Sequence, residues 1–473
     1  MASRIVTHKG YGIRKDSLSE QAVQSLKKEL TVAPMSAFAS RSVFAAQPTP
    51  FTLYLESPTR YYVPRQWGLK TYGPPEQMKL EEGLPLRSEL SFTGTPYDYQ
   101  TAIIDQFLAA GSNGLLCVPC GRGKTFMAIR IAFLLGRRFV IVVDKEFLLD
   151  QWRKELEGLL PGIRIGIVQG PKQQTDPVLY DCTIAMIQTL VQREYSDLTF
   201  QSYGCTIFDE CHHLGAAQFS RALFKVQTKH MLGLSATPVR DDGLTKVFEW
   251  FLGTPVYWEK QREADPDVVV RKIPFTCESP EYTTLPQNHM GETVLARLLT
   301  QVVECEERNA KIDALLVELL KEKDRKILVL SERISHLERI EKGLPEGTSV
   351  GYYIGGMKPE VREEGAKTAV ILLGTYQMAS EAMNIKTLNT MVMASPRKKI
   401  EQSTGRILRV QKSERSVAPL ILDIVDSHDV YKRQWLKRRT YYKTCCYKID
   451  GEKASKKPKE EEELSLEKCL LSD

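Results

Sequence analysis

Residues 115–133 read LLCVPCGRGKTFMAIRIAF: an apolar run, a glycine-rich turn, then a segment of helical character. Gly121 and Gly123 let backbone N–H groups approach a phosphate closely, and a helix starting at the turn adds a partial positive charge. Lys124 can reach β- and γ-phosphates, the Thr125 hydroxyl can bind Mg²⁺, and Arg122 lies within the loop. The full G-x-x-x-x-G-K-[ST] pattern asks for glycine at position 118, where this chain has Val118. The plainer alternative is a glycine-rich strand-to-helix turn that happens to contain lysine. Cys117 and Cys120 form a CxxC pair, which elsewhere holds zinc or cycles as a disulfide. No second pair at ligand spacing accompanies it.

Outward from this stretch, apolar runs rich in β-branched residues alternate with helix-like segments: FVIVV, LLDQWRKELEGLL, CTIAMI, CTIFD and MLGLSAT. That alternation predicts an α/β fold with a parallel sheet covered on both faces. A second alternating block runs from about 311 to 428. With 473 residues, the chain is too long for one ordinary core. The expected division is a small N-terminal accessory domain, possibly DNA-binding in character, at 1–88; a first α/β domain, 89–262; a connector, 263–310, suggested by Pro266, Pro274, Pro280 and Pro286; a second α/β domain, 311–428; and a basic, aromatic extension with a charged tail, 429–473.

A net charge of +6 permits a nucleic-acid partner without demanding one. No apolar stretch is long enough for a membrane span, and the ten cysteines show no secreted disulfide pattern, so an intracellular setting is expected.

The run CTIFDECHHLG, residues 205–215, sharpens the phosphate-site reading. Asp209 at a strand end can hold Mg²⁺, and Glu210 can orient and deprotonate an attacking water. His212 and His213 are adjacent, which is poor zinc spacing; a hydrogen-bonding role linking the site to its neighbours fits better.

Four segments now stand in order: GRGKT at 121–125, DECH at 209–212, Ser235–Ala236–Thr237 within GLSATPVR, and QSTGRILR at 402–409. Together they resemble motifs I, II, III and VI of the superfamily 2 helicases, over about residues 90–427. RDDG at 240–243 resembles an element of the XPB-like branch. LTKVFEWFLGTPVY, KILVLSERISHLERI and GYYIGG resemble helicases of nucleocytoplasmic large DNA viruses, including the poxvirus transcript-release type. The resemblance implies two tandem RecA-like (P-loop NTPase) domains, ATP and Mg²⁺ as cofactors, and an ATPase motor acting on DNA with 3′-to-5′ polarity. RNA remains an alternative partner, a non-motor binding subunit a second alternative, and the transcription machinery a further implied contact.

It also implies residue roles. Gln100 in PYDYQ looks like the adenine-reading glutamine, with Tyr97 stacking nearby. His212, Ser235 and Thr237 look like the groups coupling hydrolysis to movement. Arg406 and Arg409 look like arginines brought to the γ-phosphate, with Arg409 as the finger and Gln402 as a nearby polar contact. GTYQMASEAMNIKTLN resembles motif V, giving Thr375 and Glu381, although Ala382 and Asn384 replace the usual Gly and Asp. Lys145, Thr189 and Arg333 are candidate nucleic-acid contacts.

The flanks add an independent expectation. Tyr61, Tyr62, Arg65, Trp67, Lys70 and Tyr72 on one side, and Lys432, Arg433, Trp435, Lys437, Arg438, Arg439, Tyr441 and Tyr442 on the other, offer stacking platforms and phosphate contacts. The competing reading is a core aromatic cluster with a solvated basic face. Trp152 is expected to pack in the core.

Overall fold

The computed structural model describes residues 2–35, 49–119, 121–215, 220–236, 238–240, 242–259, 264–381, 385, 387–404 and 415–452. They fall into two compact units, Met1–Lys260 and Gln261–Asp473.

The first unit is built on an eight-stranded sheet. Its strands run in the order Lys172–Gln173, Ile165–Gln169, Cys182–Met186, Phe139–Val143, Cys205–Phe208, His230–Ser235, Asn113–Cys117 and Pro255–Trp258. All pair in parallel except the short antiparallel 172–173 strand. Phe139–Val143 is buried at all five positions, so it shows no polar alternation.

The connectivity places the site. From the 113–117 strand the chain crosses through the Lys124–Leu135 helix to 139–143, passing over two strand positions. The 205–208 and 230–235 strands later fill those positions. Ser235 then pairs with Cys117, while Phe208 pairs with Gly233 on one side and Val142 on the other. The loops that follow these strands therefore gather at the carboxyl edge of the sheet, where open α/β sheets bind ligands.

The N-terminal residues form their own five-stranded sheet, ordered Leu55–Glu56, Arg60–Val63, Gly10–Arg14, Arg4–Thr7 and Gln77–Met78. Tyr61, Arg65 and Trp67 serve packing, which corrects the stacking-platform expectation for these three, while Tyr62 and Tyr72 are half-buried and Lys70 is exposed. Tyr61 and Trp67 are buried, and Trp67 Nε1 donates to Glu29. Arg65 is 3 % exposed and donates to the carbonyls of Thr228 (2.9 Å) and Lys229 (3.1 Å) and to the Asn113 side chain. Burial without an acidic partner pushes this guanidinium down to about 10. Gly68 lies so close to the Tyr11 ring that a Cβ there would collide with it. The accessory region and the first α/β sheet thus share one unit.

The second unit holds a wholly parallel seven-stranded sheet: Val350–Tyr353, Ile371–Thr375, Ile327–Ser331, Thr390–Met393, Leu420–Asp426, Val269–Phe275 and Lys448–Ile449. The expected connector at 263–310 is corrected here. Val269–Phe275 pairs with Leu420–Asp426 over seven residues, and the Leu295–Glu304 and Glu306–Leu320 helices follow. Pro274 is tolerated because the Lys448–Ile449 strand covers only Val269 and Val270, leaving the proline end of the strand at an edge.

The expected C-terminal extension is likewise part of this unit. The Asp429–Thr444 helix buries Tyr431, Trp435, Arg438 and Tyr442, spaced as one helix face. Arg438 is 2 % exposed; its Nε and Nη2 donate to Asp423 at 2.8 and 2.7 Å, and Tyr442 OH donates to the same carboxylate at 2.8 Å. The expectation that Arg438 contacts phosphate is corrected: a carboxylate in the core already holds it. Arg439 is more exposed and pairs with Glu452 at 2.7 and 2.8 Å. Lys432, Arg433 and Lys437 occupy the exposed face.

Candidate nucleotide-hydrolysis site

The phosphate loop leaves the sheet at Val118, whose N–H donates to Ser235 O at 3.1 Å. Gly121 and Gly123 have φ of +88° and +78°. A Cβ at Gly121 would meet nothing within 4 Å, so the loop presents open space there, whereas one at Gly123 would strike the Gln100 amide. The Lys124–Leu135 helix begins with no side-chain cap, which leaves its first-turn N–H groups for an external acceptor. Cys120 lies outside the described residues. Cys117 is buried, and burial pushes its thiol up to about 12 against the opposing pull of Lys124, so it offers no thiolate.

The acidic pair follows the Cys205–Phe208 strand. Asp209 Oδ1 accepts the Glu210 N–H at 3.0 Å, and Oδ2 accepts the Trp152 indole N–H at 2.8 Å. Glu210 has φ +43°, a left-handed conformation costing a non-glycine residue on the order of 1–3 kcal/mol. Its Oε1 lies 3.5 Å from Lys124 Nζ, with the two side chains 14 % and 12 % exposed. Among the described residues its buried Oε2 has no hydrogen-bond partner, although His212 Nδ1 is 3.3 Å away. Burial and the adjacent Glu210 push Asp209 up to about 6. Burial also acts on Glu210, but Lys124 and His212 outweigh it and hold this carboxyl below the ordinary range. Two neighbouring carboxylates thus have opposite proton affinities. A buried acid of raised proton affinity, a carboxylate oxygen without a partner among the described residues and a lysine at the helix start suit a site completed by a divalent cation and a polyphosphate.

The histidines connect this loop to the next strand. His212 Nδ1 lies 3.1 Å from Ser235 Oγ; burial pushes the ring down to about 4 despite Glu210, so it is neutral at pH 7. His213 Nδ1 meets Asp144 Oδ2 at 2.6 Å, and that partner overcomes burial to raise its affinity for a proton. Arg240 donates to the His212 carbonyl and, through Nε at 2.9 Å, to Asp242. The RDDG segment is therefore tied to the hydrolysis loop.

Beside the phosphate loop, Tyr97 is 58 % exposed and stacks on Tyr99 with ring centroids 5.8 Å apart. The Arg122 guanidinium lies 4.2 Å from the Tyr99 centroid and pairs with Glu259 at 3.3 Å. Gln100 is buried; its Oε1 accepts the Tyr97 N–H at 3.0 Å and its Nε2 donates to Arg122 O at 3.2 Å. The same amide also hydrogen-bonds to the Tyr99 side chain, which ties the glutamine to the Tyr97–Tyr99 stack. Tyr99 and Trp152 are candidate site positions that sequence reasoning missed; the PYDYQ spacing offered a signal for the first, and nothing local did for the second.

Other candidates fall elsewhere. Thr189 is buried and accepts the Gly170 N–H at 3.0 Å, so its expected nucleic-acid contact is corrected to a structural one. Lys145 precedes the Glu146–Leu159 helix and is half-buried. In the second unit, Arg333 precedes the Ile334–Lys342 helix, and Thr375 ends its strand with Oγ1 accepting the Met378 N–H at 3.4 Å. Gln402 lies in the Glu401–Thr404 helix. Thr237, Arg406 and Arg409 lie outside the described residues.

Among the described residues no helix is long and apolar enough to cross a membrane. Residues 93–240 match the family described as type III restriction enzyme, res subunit, and residues 310–412 match the helicase conserved C-terminal domain. The chain is 30% identical to L396 of Acanthamoeba polyphaga mimivirus over 97% of its own length and 89% of that protein, which carries the provisional name ATP-dependent RNA helicase. It is 28% identical to Rad25 of Halobacterium salinarum, provisionally named a DNA 3′-5′ helicase, across 70% of this chain and 54% of that one. QP509L of African swine fever virus, another protein with the provisional name ATP-dependent RNA helicase, is 26% identical across 72% of this chain and 73% of its own. A nucleotide site at the sheet edge, followed by a helicase C-terminal domain, agrees with these likenesses: the chain belongs to the superfamily 2 helicases, in the XPB-like branch that includes helicases of large DNA viruses, and is an ATP-dependent, nucleic-acid-binding enzyme.

Proposed function

We propose that this helicase couples ATP hydrolysis to 3′-to-5′ movement along DNA, in transcript release or repair. The observation that carries the motor chemistry is the Lys124–Glu210 pair beside the open Gly121 turn, with Asp209 held by Trp152. Lys124 binds the β- and γ-phosphates, and Thr125 and Asp209 hold Mg²⁺, which supplies charge neutralisation of the triphosphate. Glu210, kept ionised, orients the attacking water and accepts its proton. Tyr97, Gln100 and Arg122 receive the base. By resemblance, Arg409 is the arginine finger, Arg406 a second γ-phosphate arginine and Gln402 a further polar contact. His212, Ser235 and Thr237 transmit the state of the site.

The choice of DNA rests on the resemblance of RDDG at 240–243 to an element of the XPB-like branch, and on the DNA 3′-5′ name carried by the Halobacterium relative. RNA is the second reading, favoured by the name of the mimivirus relative. ATPase stimulation by single-stranded DNA, duplex DNA and RNA tests both, with Glu210→Gln as the inactive control. Stimulation by DNA supports the first reading, stimulation by RNA alone replaces it with the second, and no stimulation defeats the motor.

A further inference from the structure

A cavity of about 410 Å³ opens within the first unit, between the N-terminal sheet and the 191–228 stretch of the α/β sheet, away from the phosphate loop. Gln227 lines it. This side chain is 4 % exposed, yet among the described residues neither its amide oxygen nor its amide nitrogen has a hydrogen-bond partner. A buried amide with both ends orphaned is destabilising, because each group has given up water without a replacement partner. Aromatic surface lines the same space: Tyr54 from the N-terminal sheet and Tyr195 and Phe200 from the other side, the last two with centroids 5.3 Å apart. Lys79 and Arg221 are exposed among the lining residues and form no ion pair among the described residues.

We propose that this cavity receives one unstacked nucleobase. The inference rests on the reading of this chain as a nucleic-acid motor. An amide presents one donor and one acceptor side by side, the complement of a base edge, and it is indifferent to which base supplies them after rotation. Aromatic rings provide the stacking surface that single-strand binding uses, and the two exposed cations suit the flanking phosphates. The base belongs to a bound strand or to a free nucleotide; the chemistry is the same.

The test uses the full chain and Gln227→Leu, a change outside the hydrolysis site that removes the orphaned amide. Single-stranded oligonucleotides are compared intact and with one abasic position stepped along the strand. The expected result is that the wild type loses roughly tenfold in affinity, as stacking losses of about 1–3 kcal/mol per base imply, when the abasic position reaches the cavity. Gln227→Leu should bind the intact strand weakly and be insensitive to that position, with a melting temperature equal to or above the wild type. If instead nucleoside monophosphates raise the wild-type melting temperature and the abasic scan is flat, the base comes from a free nucleotide. Equal affinities for both proteins, a flat scan and no nucleotide shift would overturn the proposal while leaving the motor intact. Failure of the wild type to bind any strand would count against the motor reading itself.

Discussion

The Trp152 indole donates to Asp209 Oδ2 at 2.8 Å, so a residue of a flanking helix orients the acid that ends the neighbouring strand. Trp152 is 1 % exposed and anchors one core cluster while doing so. Trp152→Phe keeps most of the apolar volume and removes only the donor. A hydrogen bond to a charged group contributes about 1.5–3 kcal/mol, and the buried acceptor would be left unmet. ATPase activity should fall about tenfold or more, with a higher Mg²⁺ concentration needed for half-maximal rate. An unchanged Mg²⁺ dependence in the folded variant would reduce Trp152 to a packing residue.

Much of this arrangement was legible before any coordinates. Parallel strands covered on both faces appear as unbroken apolar runs, so FVIVV and CTIF announce themselves, and the acids at 209–210 follow such a run. VVRKIPF at 269–275 does not, because it mixes cations and proline where the ladder has a free edge. Aromatic and basic flanks have one composition whether they stack on bases or fill a core. For the last helix, the spacing of Tyr431, Trp435, Arg438 and Tyr442 was the available sign of a buried face. No local pattern could join Trp152 to Asp209. Their meeting depends on strand order, which sets the 139–143 strand beside 205–208.

Asp209 gives a prediction with a definite sign. Its folded-state affinity for a proton is raised, to about 6 from an ordinary value of 3.8. Ionisation therefore opposes folding: the cost is absent below about pH 4, grows as pH rises through the window to 6, and is complete above it. Asp209→Asn should raise the metal-free melting temperature at pH 8, where the ionised side chain is fully destabilising. That advantage should vanish near pH 4, and ATPase activity should be lost at every pH. Calorimetry across this range decides the matter, since a melting difference that does not change with pH contradicts the assignment.

Ser235 offers a way to separate hydrolysis from movement. Its hydroxyl lies 3.1 Å from the neutral His212 ring, on the strand beside the phosphate-loop strand. Ser235→Ala removes its hydrogen bond to His212, of about 0.5–1.5 kcal/mol, without touching the acids. Nucleic-acid-stimulated ATPase should stay within several-fold of wild type, while strand displacement per ATP hydrolysed drops well below it. Parallel loss of both activities would mean that Ser235 supports the hydrolysis site alone.

Arg438 should behave as a core residue. Its guanidinium, the Asp423 carboxylate and the Tyr442 hydroxyl form a closed buried group. Breaking such a pair strands an uncompensated charge and costs about 3–5 kcal/mol. Arg438→Ala should lower the melting temperature strongly, while the slope of log affinity against log salt for the folded protein stays that of wild type. A slope flattened by about 0.9, the mark of one lost phosphate contact on duplex DNA, would restore the surface role.

Lys124 carries the last prediction. Its ammonium is held 3.5 Å from Glu210 Oε1, and no side-chain cap bond is formed at the helix N-cap, Gly123. A triphosphate entering the loop competes with Glu210 for that ammonium. Glu210→Gln removes the competing charge and one source of repulsion toward the nucleotide, yet keeps the side-chain shape. ATP should therefore bind several-fold more tightly to the variant, in line with the roughly 1 kcal/mol that a partly exposed pair contributes, even as hydrolysis stops. Titration with a fluorescent ATP analogue in Mg²⁺ measures this directly. Weaker binding by Glu210→Gln would mean that the carboxylate helps to recruit the cation more than it restrains the lysine.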